Sequence, residues 1–122
     1  MVRNSLFSLF FLINFISNSQ TAGFTWAKSM GVVSTIKASS VFFTTTTNEL
    51  TTGSFSGNID FDPGPAVTNI TSVGAEDVFI SKIDAAGNFV WAKSFGGPGM
   101  DNGYGIVVDG LGDIYITGRF TG

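Results

Sequence analysis

The chain has no cysteine and no histidine in its 122 residues. Without cysteine there is no thiol nucleophile and no thiolate ligand for a metal. Without histidine there is no imidazole ligand and no side chain that ordinarily titrates near neutral pH. A structural zinc site and a Ser-His-Asp triad are therefore excluded for this sequence.

Charged residues are also scarce, at 12% of the sequence, and the net charge is −3. Proteins that bind nucleic acid through its phosphates need a basic surface. The composition therefore argues against nucleic acid as a partner. In contrast, the chain is rich in glycine, with 16 residues, and in phenylalanine, with 13. This usage favours short strands joined by tight turns over helices.

The N-terminus has the pattern of a secretory signal peptide. Arg3 precedes the apolar run 6–16, which is followed by Ser17-Asn18-Ser19. Small residues in this arrangement predict cleavage after Ser19, which leaves Gln20 as the new N-terminus. The alternative, an uncleaved anchor, needs about 20 apolar residues, more than this run supplies. We therefore predict a secreted or cell-surface protein that keeps no membrane span after cleavage.

Two stretches of the sequence recur at the same spacing. Phe24–Gly31 (FTWAKSMG) returns as Phe89–Gly96 (FVWAKSFG), and Thr52–Gly57 (TGSFSG) returns as Thr117–Gly122 (TGRFTG), with one common offset. Two matches with one offset indicate a tandem repeat of about 65 residues. Two residues separated by this repeat offset are here called counterparts. The repeat occurs about one and a half times after the predicted cleavage site.

Alternating apolar residues and Gly/Asp-rich turns predict four strands in the second copy. These strands are Asp77–Ile83, Phe89–Phe95, Tyr104–Val108 and Ile114–Phe120. Four strands joined as a meander are typical of one β-propeller blade. The predicted fold class is all-β, with propeller-type blades of four-stranded antiparallel meander sheets, about 65 residues per repeat, and an incomplete set of blades.

The repeat divides the sequence into three predicted segments. Residues 1–19 are the signal peptide, residues 20–57 are a degenerate N-terminal blade portion, and residues 58–122 are a β-propeller repeat truncated at its C-terminal end. The first copy diverges from the second between residues 32 and 49. Terminal repeats are commonly atypical, which accounts for this divergence. A pair of compensating frameshifts in the gene would account for it equally well.

Residues 50–122 contain a series of glycine- and aspartate-rich motifs: Gly53–Gly57, Ile59–Gly64, Asp77–Asp84, Gly87–Gly97 and Gly105–Asp109 with Gly118. With these motifs, residues 50–122 resemble SBBP, the bacterial β-propeller repeat family of secreted proteins. The resemblance implies a propeller fold in an exported, often surface-associated protein. It implies no active site, because the family has no common catalytic residues.

Acidic pairs are the strongest candidates for chemistry. Asp60 with Asp62, and Asp109 with Asp113, could offer carboxylates to Ca²⁺. Neither pair has the spacing of a full EF-hand site. The favoured alternative is that Asp109 and Asp113 close a turn through side chain to backbone hydrogen bonds. Paired carboxylates could also cleave glycosides, but no pocketed environment is evident from the sequence.

Trp26 and Trp91 occupy the same place in the two copies. An exposed tryptophan could stack on carbohydrate, whereas a repeated tryptophan in a strand more often packs in the core. The alternation predicts that Phe89, Trp91 and Lys93 share one face of their strand. We expect Trp91 to be a core residue.

The sequence thus predicts an exported, non-enzymatic β-propeller repeat protein that acts as a surface or extracellular scaffold or binding module. No catalytic, cofactor-binding or metal-binding residue is assigned, and the expected partners are an unidentified protein or glycan at the cell surface. The alternatives are a piece of a secreted propeller-type enzyme that degrades polysaccharide, and a gene remnant without function. Because fewer than two repeats are present, we expect contacts with further blades of the same chain, or self-association.

Overall fold

The computed structural model describes residues 9–10, 28–29, 35–44, 46 and 48–121. All regular secondary structure in these residues is β-strand. The strands are β1 (Leu9–Phe10), β2 (Lys28–Ser29), β3 (Ile36–Phe43), β4 (Glu49–Phe55), β5 (Asn58–Asp60), β6 (Asn69–Thr71), β7 (Asp77–Ile83), β8 (Phe89–Phe95), β9 (Asn102–Val108) and β10 (Ile114–Arg119). None of the described residues lies in a helix that could span a bilayer.

The main sheet has four antiparallel strands in the order β3-β4-β7-β8. The strands follow each other as a meander, interrupted only by the hairpin β5-β6, which is inserted between β4 and β7. Strands β9 and β10 form a second hairpin, and β1 pairs with β2. The predicted all-β fold with antiparallel meander sheets is confirmed.

The predicted strands do not all share one sheet, although the sequence had led us to expect it. The sequence suggested that β7 to β10 form one blade, but among the described strands β8 is the last of its sheet and β9 pairs only with β10. The blade is completed instead by β3 and β4. The four-stranded sheet therefore takes strands from both sides of the predicted boundary between residues 57 and 58. The three predicted segments, 1–19, 20–57 and 58–122, remain a prediction.

The hairpins β3-β4 and β9-β10 are counterparts in the repeat and are equivalent in structure. Thr44 N–H donates to the carbonyl of Asn48 over 2.9 Å, and Asp109 N–H donates to that of Asp113 over 3.0 Å. Both hairpins contain a β-bulge at the same place, which leaves Tyr104 out of register in the second. The divergent first copy therefore still forms the same hairpin, because strand pairing tolerates changes in side chains that keep the backbone hydrogen bonds.

The bulge explains the repeated Thr-Gly pair. A Cβ atom on Gly53 would collide with the carbonyl oxygen of Lys37, and a Cβ atom on Gly118 would collide with that of Asn102. Lys37 and Asn102 are themselves counterparts in the repeat. Glycine recurs at this position because the bulged neighbour strand brings its backbone too close for any side chain.

One face of the four-stranded sheet, here called the first face, carries an aromatic cluster. Phe55, Phe61 and Phe79 are at most 1% exposed, and their ring centroids lie 5.2 to 6.3 Å apart. Phe61 directly follows β5 within the inserted hairpin β5-β6, and Ile59 and Ile70 on that hairpin pack in the same cluster. The insertion thus covers one end of the first face.

The opposite face, here called the second face, packs against the hairpin β9-β10. Leu50 and Ile80 of the sheet form a buried cluster with Ile106 of β9, and Trp91 and Ile116 pack at its margin. Two sheets in face-to-face contact through apolar side chains are the arrangement of neighbouring propeller blades.

We expect Phe79→Ala to lower the free energy of unfolding by about 3–5 kcal/mol, because it removes a fully buried ring and leaves a cavity. Denaturant unfolding at one fixed protein concentration measures the change. Val73→Ala is the matched control, since Val73 is 76% exposed and its truncation should change stability by less than about 0.5 kcal/mol. Equal midpoints for the two variants would contradict the assignment of Phe79 to the core.

Candidate functional site

The first predicted acidic pair stabilises a loop. Asp60 Oδ1 accepts hydrogen bonds from the backbone N–H groups of Asp62, over 3.0 Å, and Thr68, over 2.8 Å. Asp62 Oδ1 accepts one from Gly64 N–H over 2.6 Å. The two carboxylates therefore fold the loop between β5 and β6 through local hydrogen bonds.

The second predicted acidic pair closes the β9-β10 turn. Asp109 Oδ1 accepts from the N–H groups of Leu111 and Asp113 over 2.9 and 3.0 Å, and Tyr115 Oη donates to its other oxygen. The backbone hydrogen bonds, that from Asp113 first, lower the pKa of Asp109. The turn interpretation is therefore right for Asp109, and Asp113 contributes its backbone N–H to it. In the described part of the chain, no three metal-ligating side chains come together.

Trp91 lies at the edge of the cluster on the second face. It is half-buried and packs against the cluster of Leu50, Ile80 and Ile106, which favours the core interpretation over an exposed platform. Trp26, its predicted counterpart, lies outside the described residues.

The predicted alternation along β8 is wrong at Phe89. A register shift between Lys82 and Ile83 pairs Lys82 with Trp91 but Ile83 with Phe89. Phe89 therefore packs with Ala92 in the cluster of the first face instead of sharing a face with Trp91. One extra residue in a strand reverses the side on which all following side chains lie.

Two buried aspartates that the sequence analysis did not single out lie where the two sheets meet. Asp77 and Asp101 are each 1% exposed. A Cβ atom on Gly96 would lie 2.6 Å from Asp77 Oδ1 and 2.8 Å from Asp101 Oδ2, so both carboxylates approach this glycine too closely for a side chain. Both residues stand at or just before the start of a strand, the one sequence signal that could have drawn attention to them.

Each buried aspartate holds backbone N–H groups of the connecting loops. Asp77 accepts from Val73 N–H over 2.9 Å and from Gly74 N–H over 3.2 Å. Asp101 accepts from Gly97 N–H over 2.8 Å and from Thr121 N–H over 2.7 Å. Because every carboxylate oxygen of the pair accepts at least one hydrogen bond, the cost of removing the two carboxylates from water is compensated. These two residues hold the connecting loops in place.

Glu49 is the most unusual titratable group among the described residues. It is 3% exposed, Oε1 accepts a hydrogen bond from Thr51 Oγ over 2.9 Å, and Oε2 has no partner. Ser81 Oγ, in the neighbouring strand, is also buried without a partner. Burial raises the pKa of Glu49 above its ordinary value, and the hydrogen bond from Thr51 opposes this shift.

The position of Glu49 in the repeat is informative. Glu49 and Thr51 lie on the first face, and their counterparts in the second copy are Ile114 and Ile116. Ile116 packs against the neighbouring sheet. The first copy thus carries polar side chains where the second copy carries apolar ones. A buried carboxyl with a raised pKa is a functional-site candidate.

Comparison with known proteins identifies the repeat. Residues 90–119 match the SBBP family, the beta-propeller repeat. The resemblance predicted from the sequence is confirmed. The matched SBBP residues run from β8, the last strand of one blade, through β9 and β10, which begin the next blade. The SBBP match therefore spans the junction between the two sheets.

A curated relative is an uncharacterised WD repeat-containing protein of Acanthamoeba polyphaga mimivirus. It is 27% identical over 117 residues, an alignment that covers 84% of this chain and 8% of that protein. The chain thus spans a small part of the length of this relative. No solved structure matches the chain significantly. The SBBP match and the WD repeat relative together show a propeller-type repeat protein.

We expect Glu49→Gln to change the pH dependence of stability. Because the pKa of Glu49 is raised in the folded state, folding favours its protonated form, and wild-type stability falls as pH rises from the ordinary glutamate pKa of about 4.3 through the raised value. The variant should lack this fall, so its stability relative to wild type should be greater at neutral pH than in acid. Denaturant unfolding over a pH series measures this difference.

Glu76→Gln is the control for this experiment, because the pKa of Glu76 is shifted in the opposite direction. Lys37 Nζ lies 2.7 Å from Glu76 Oε1, and this hydrogen bond lowers the pKa of Glu76. The contribution of Glu76 to the free energy of unfolding is therefore present above the ordinary glutamate pKa. It is lost as the pH falls through the lowered pKa of the folded state. Because Lys37 is largely exposed, this variant should lose only about 0–1 kcal/mol at neutral pH. If the stability of Glu49→Gln varies with pH in parallel with wild type, Glu49 is not a buried carboxyl with a raised pKa.

We expect Trp91→Ala to lower the free energy of unfolding by about 1–3 kcal/mol, less than for a fully buried ring, because Trp91 is only half-buried. Tyr104→Ala is the control, since Tyr104 is 56% exposed. Denaturant midpoints and a glycan-binding assay are measured together. Loss of glycan binding at an unchanged midpoint would instead identify Trp91 as a binding platform.

Proposed function

We propose that this chain is exported and acts as a non-enzymatic scaffold or binding module built from propeller-type repeats. The observation that carries the proposal is the contact between the second face of the four-stranded sheet and the hairpin β9-β10. It joins consecutive repeats through apolar side chains, so the repeats stack as propeller-type blades whose loops and edges remain available to partners.

The positions of the polar side chains support a role without catalysis. Asp60, Asp62 and Asp109 accept hydrogen bonds within turns, and Asp77 and Asp101 hold connecting loops. A catalytic carboxylate must be able to reach a substrate. These five carboxylates are instead committed to backbone N–H groups, which fits a scaffold better than an enzyme.

A binding screen together with an activity screen tests this role. The purified chain is applied to glycan and protein arrays, and polysaccharides are incubated with it and examined for cleavage. We expect binding without cleavage. Cleavage that disappears in Glu49→Gln would favour the alternative, an enzyme that degrades polysaccharide, and would overturn the scaffold role.

Export is supported by the sequence of the N-terminus, where Arg3, the apolar run 6–16 and Ser17-Asn18-Ser19 follow in the order of a secretory signal. We expect a bacterial host to deliver a mature chain that begins at Gln20. Intact mass and N-terminal sequencing measure the cleavage site.

Ser19→Arg is the matched variant for this test, because a large charged residue at the cleavage position should block processing while the apolar run is unchanged. Recovery of the wild-type chain with Met1 in the membrane fraction would contradict cleavage.

A further inference from the structure

The contact between the two sheets has an inserting side and a receiving side. On the inserting side, Ile106 and Val108 of β9 point from one face of their hairpin into the cluster. On the receiving side, Leu50 and Phe42 lie on the second face of the four-stranded sheet, where they are paired across β3 and β4. The repeat offset assigns a counterpart to each of these four residues.

The counterparts of the receiving side are exposed. Val107 and Tyr115 stand one repeat after Phe42 and Leu50, and they are cross-strand partners in the same way. They lie on the outer face of β9-β10, away from the cluster, and are 54% and 56% exposed. Leu50, which is covered by β9-β10, is only 2% exposed. The outer face of β9-β10 is therefore a receiving surface without an occupant among the described residues.

The counterparts of the inserting side are exposed as well. Val41 and Phe43 of β3 stand one repeat before Ile106 and Val108, and they are 42% and 43% exposed. Both belong to the first face, because they pair with Thr51 and Glu49. The inserted hairpin β5-β6 packs near Phe55, at the other end of β4. Thr51 and Glu49 are themselves only 3% exposed, so the inserting surface is confined to the edge of the first face at Val41 and Phe43.

We propose that a second copy of this chain docks Val41 and Phe43 on Val107 and Tyr115 of the first copy. One chain carries counterparts of both residue pairs of the internal contact, Val41 with Phe43 and Val107 with Tyr115, so the partner that fits is another copy in the same orientation. The contact joins two different surfaces, so it is heterologous, and it builds rings or open filaments instead of a two-fold dimer. This inference goes beyond the scaffold role and does not depend on export.

Lysine substitutions on the two surfaces test the proposal. Val107→Lys places a charge on the receiving surface, and Phe43→Lys places one on the inserting surface. Leu111→Lys is the matched control, because Leu111 is 90% exposed in the β9-β10 turn and the substitution adds the same charge. Sedimentation velocity over a wide range of concentration measures the assembly of the full chain, and all variants keep the same N-terminus.

We expect the wild type and Leu111→Lys to assemble with increasing concentration. Each interface variant should need at least a tenfold higher protein concentration to assemble. The mixture of the two interface variants is decisive. Val107→Lys keeps its inserting surface and Phe43→Lys keeps its receiving surface, so together they should form a one-to-one dimer and nothing larger.

Other outcomes would overturn the proposal. A wild-type chain that stays monomeric, or assembly that is equally strong in Val107→Lys and Leu111→Lys, would show that these surfaces do not bind each other. Failure of the two folded variants to form a dimer when mixed would show the same, and circular dichroism and amide exchange establish that each variant is folded. Binding of the outer face to a glycan or another protein by a monomeric wild type would assign that surface to a different partner.

Discussion

Both faces of the four-stranded sheet carry apolar side chains, so each face must be covered by something other than water. The second face is covered by β9-β10, through Leu50, Ile80 and Ile106. A sheet with two apolar faces is stable only between two neighbours, because burial of each face contributes roughly 25 cal/mol per Å² of apolar surface. The stacking of consecutive repeats follows from this requirement, as does the exposure of apolar residues wherever a neighbour is absent.

The hydrogen-bonding residues of the chain serve this stacking. The turns at Asp84 and Asp109 use the same geometry, in which one carboxylate oxygen accepts two backbone N–H groups of the turn. At the other end of the strands, Asp77 and Asp101 hold the loops that lead from one sheet to the next. Since these loops contain glycines in close approach, buried acceptors are needed to satisfy backbone groups that no strand can reach.

Glu49 is an exception to this pattern. It occupies a position that is isoleucine in the second copy, and one of its oxygens is buried without a hydrogen-bond partner. An unpaired buried carboxyl is destabilising when ionised, which is why burial raises its pKa. The first copy therefore differs from the second on the face that a preceding blade would contact.

The sequence by itself determined the repeat, the strands and the turns. Each depends on local patterns: the common offset of the two repeated stretches, the alternation in β7 to β10 and the Asp/Gly turns. Tertiary structure alone decided that β3 and β4 complete the blade, since strand pairing joins residues distant in sequence. It also decided that Phe89 and Trp91 lie on opposite faces, because a bulge shifts the register by one residue. The buried roles of Asp77, Asp101 and Glu49 depend on which loops and strands surround them, and no local pattern encodes that neighbourhood.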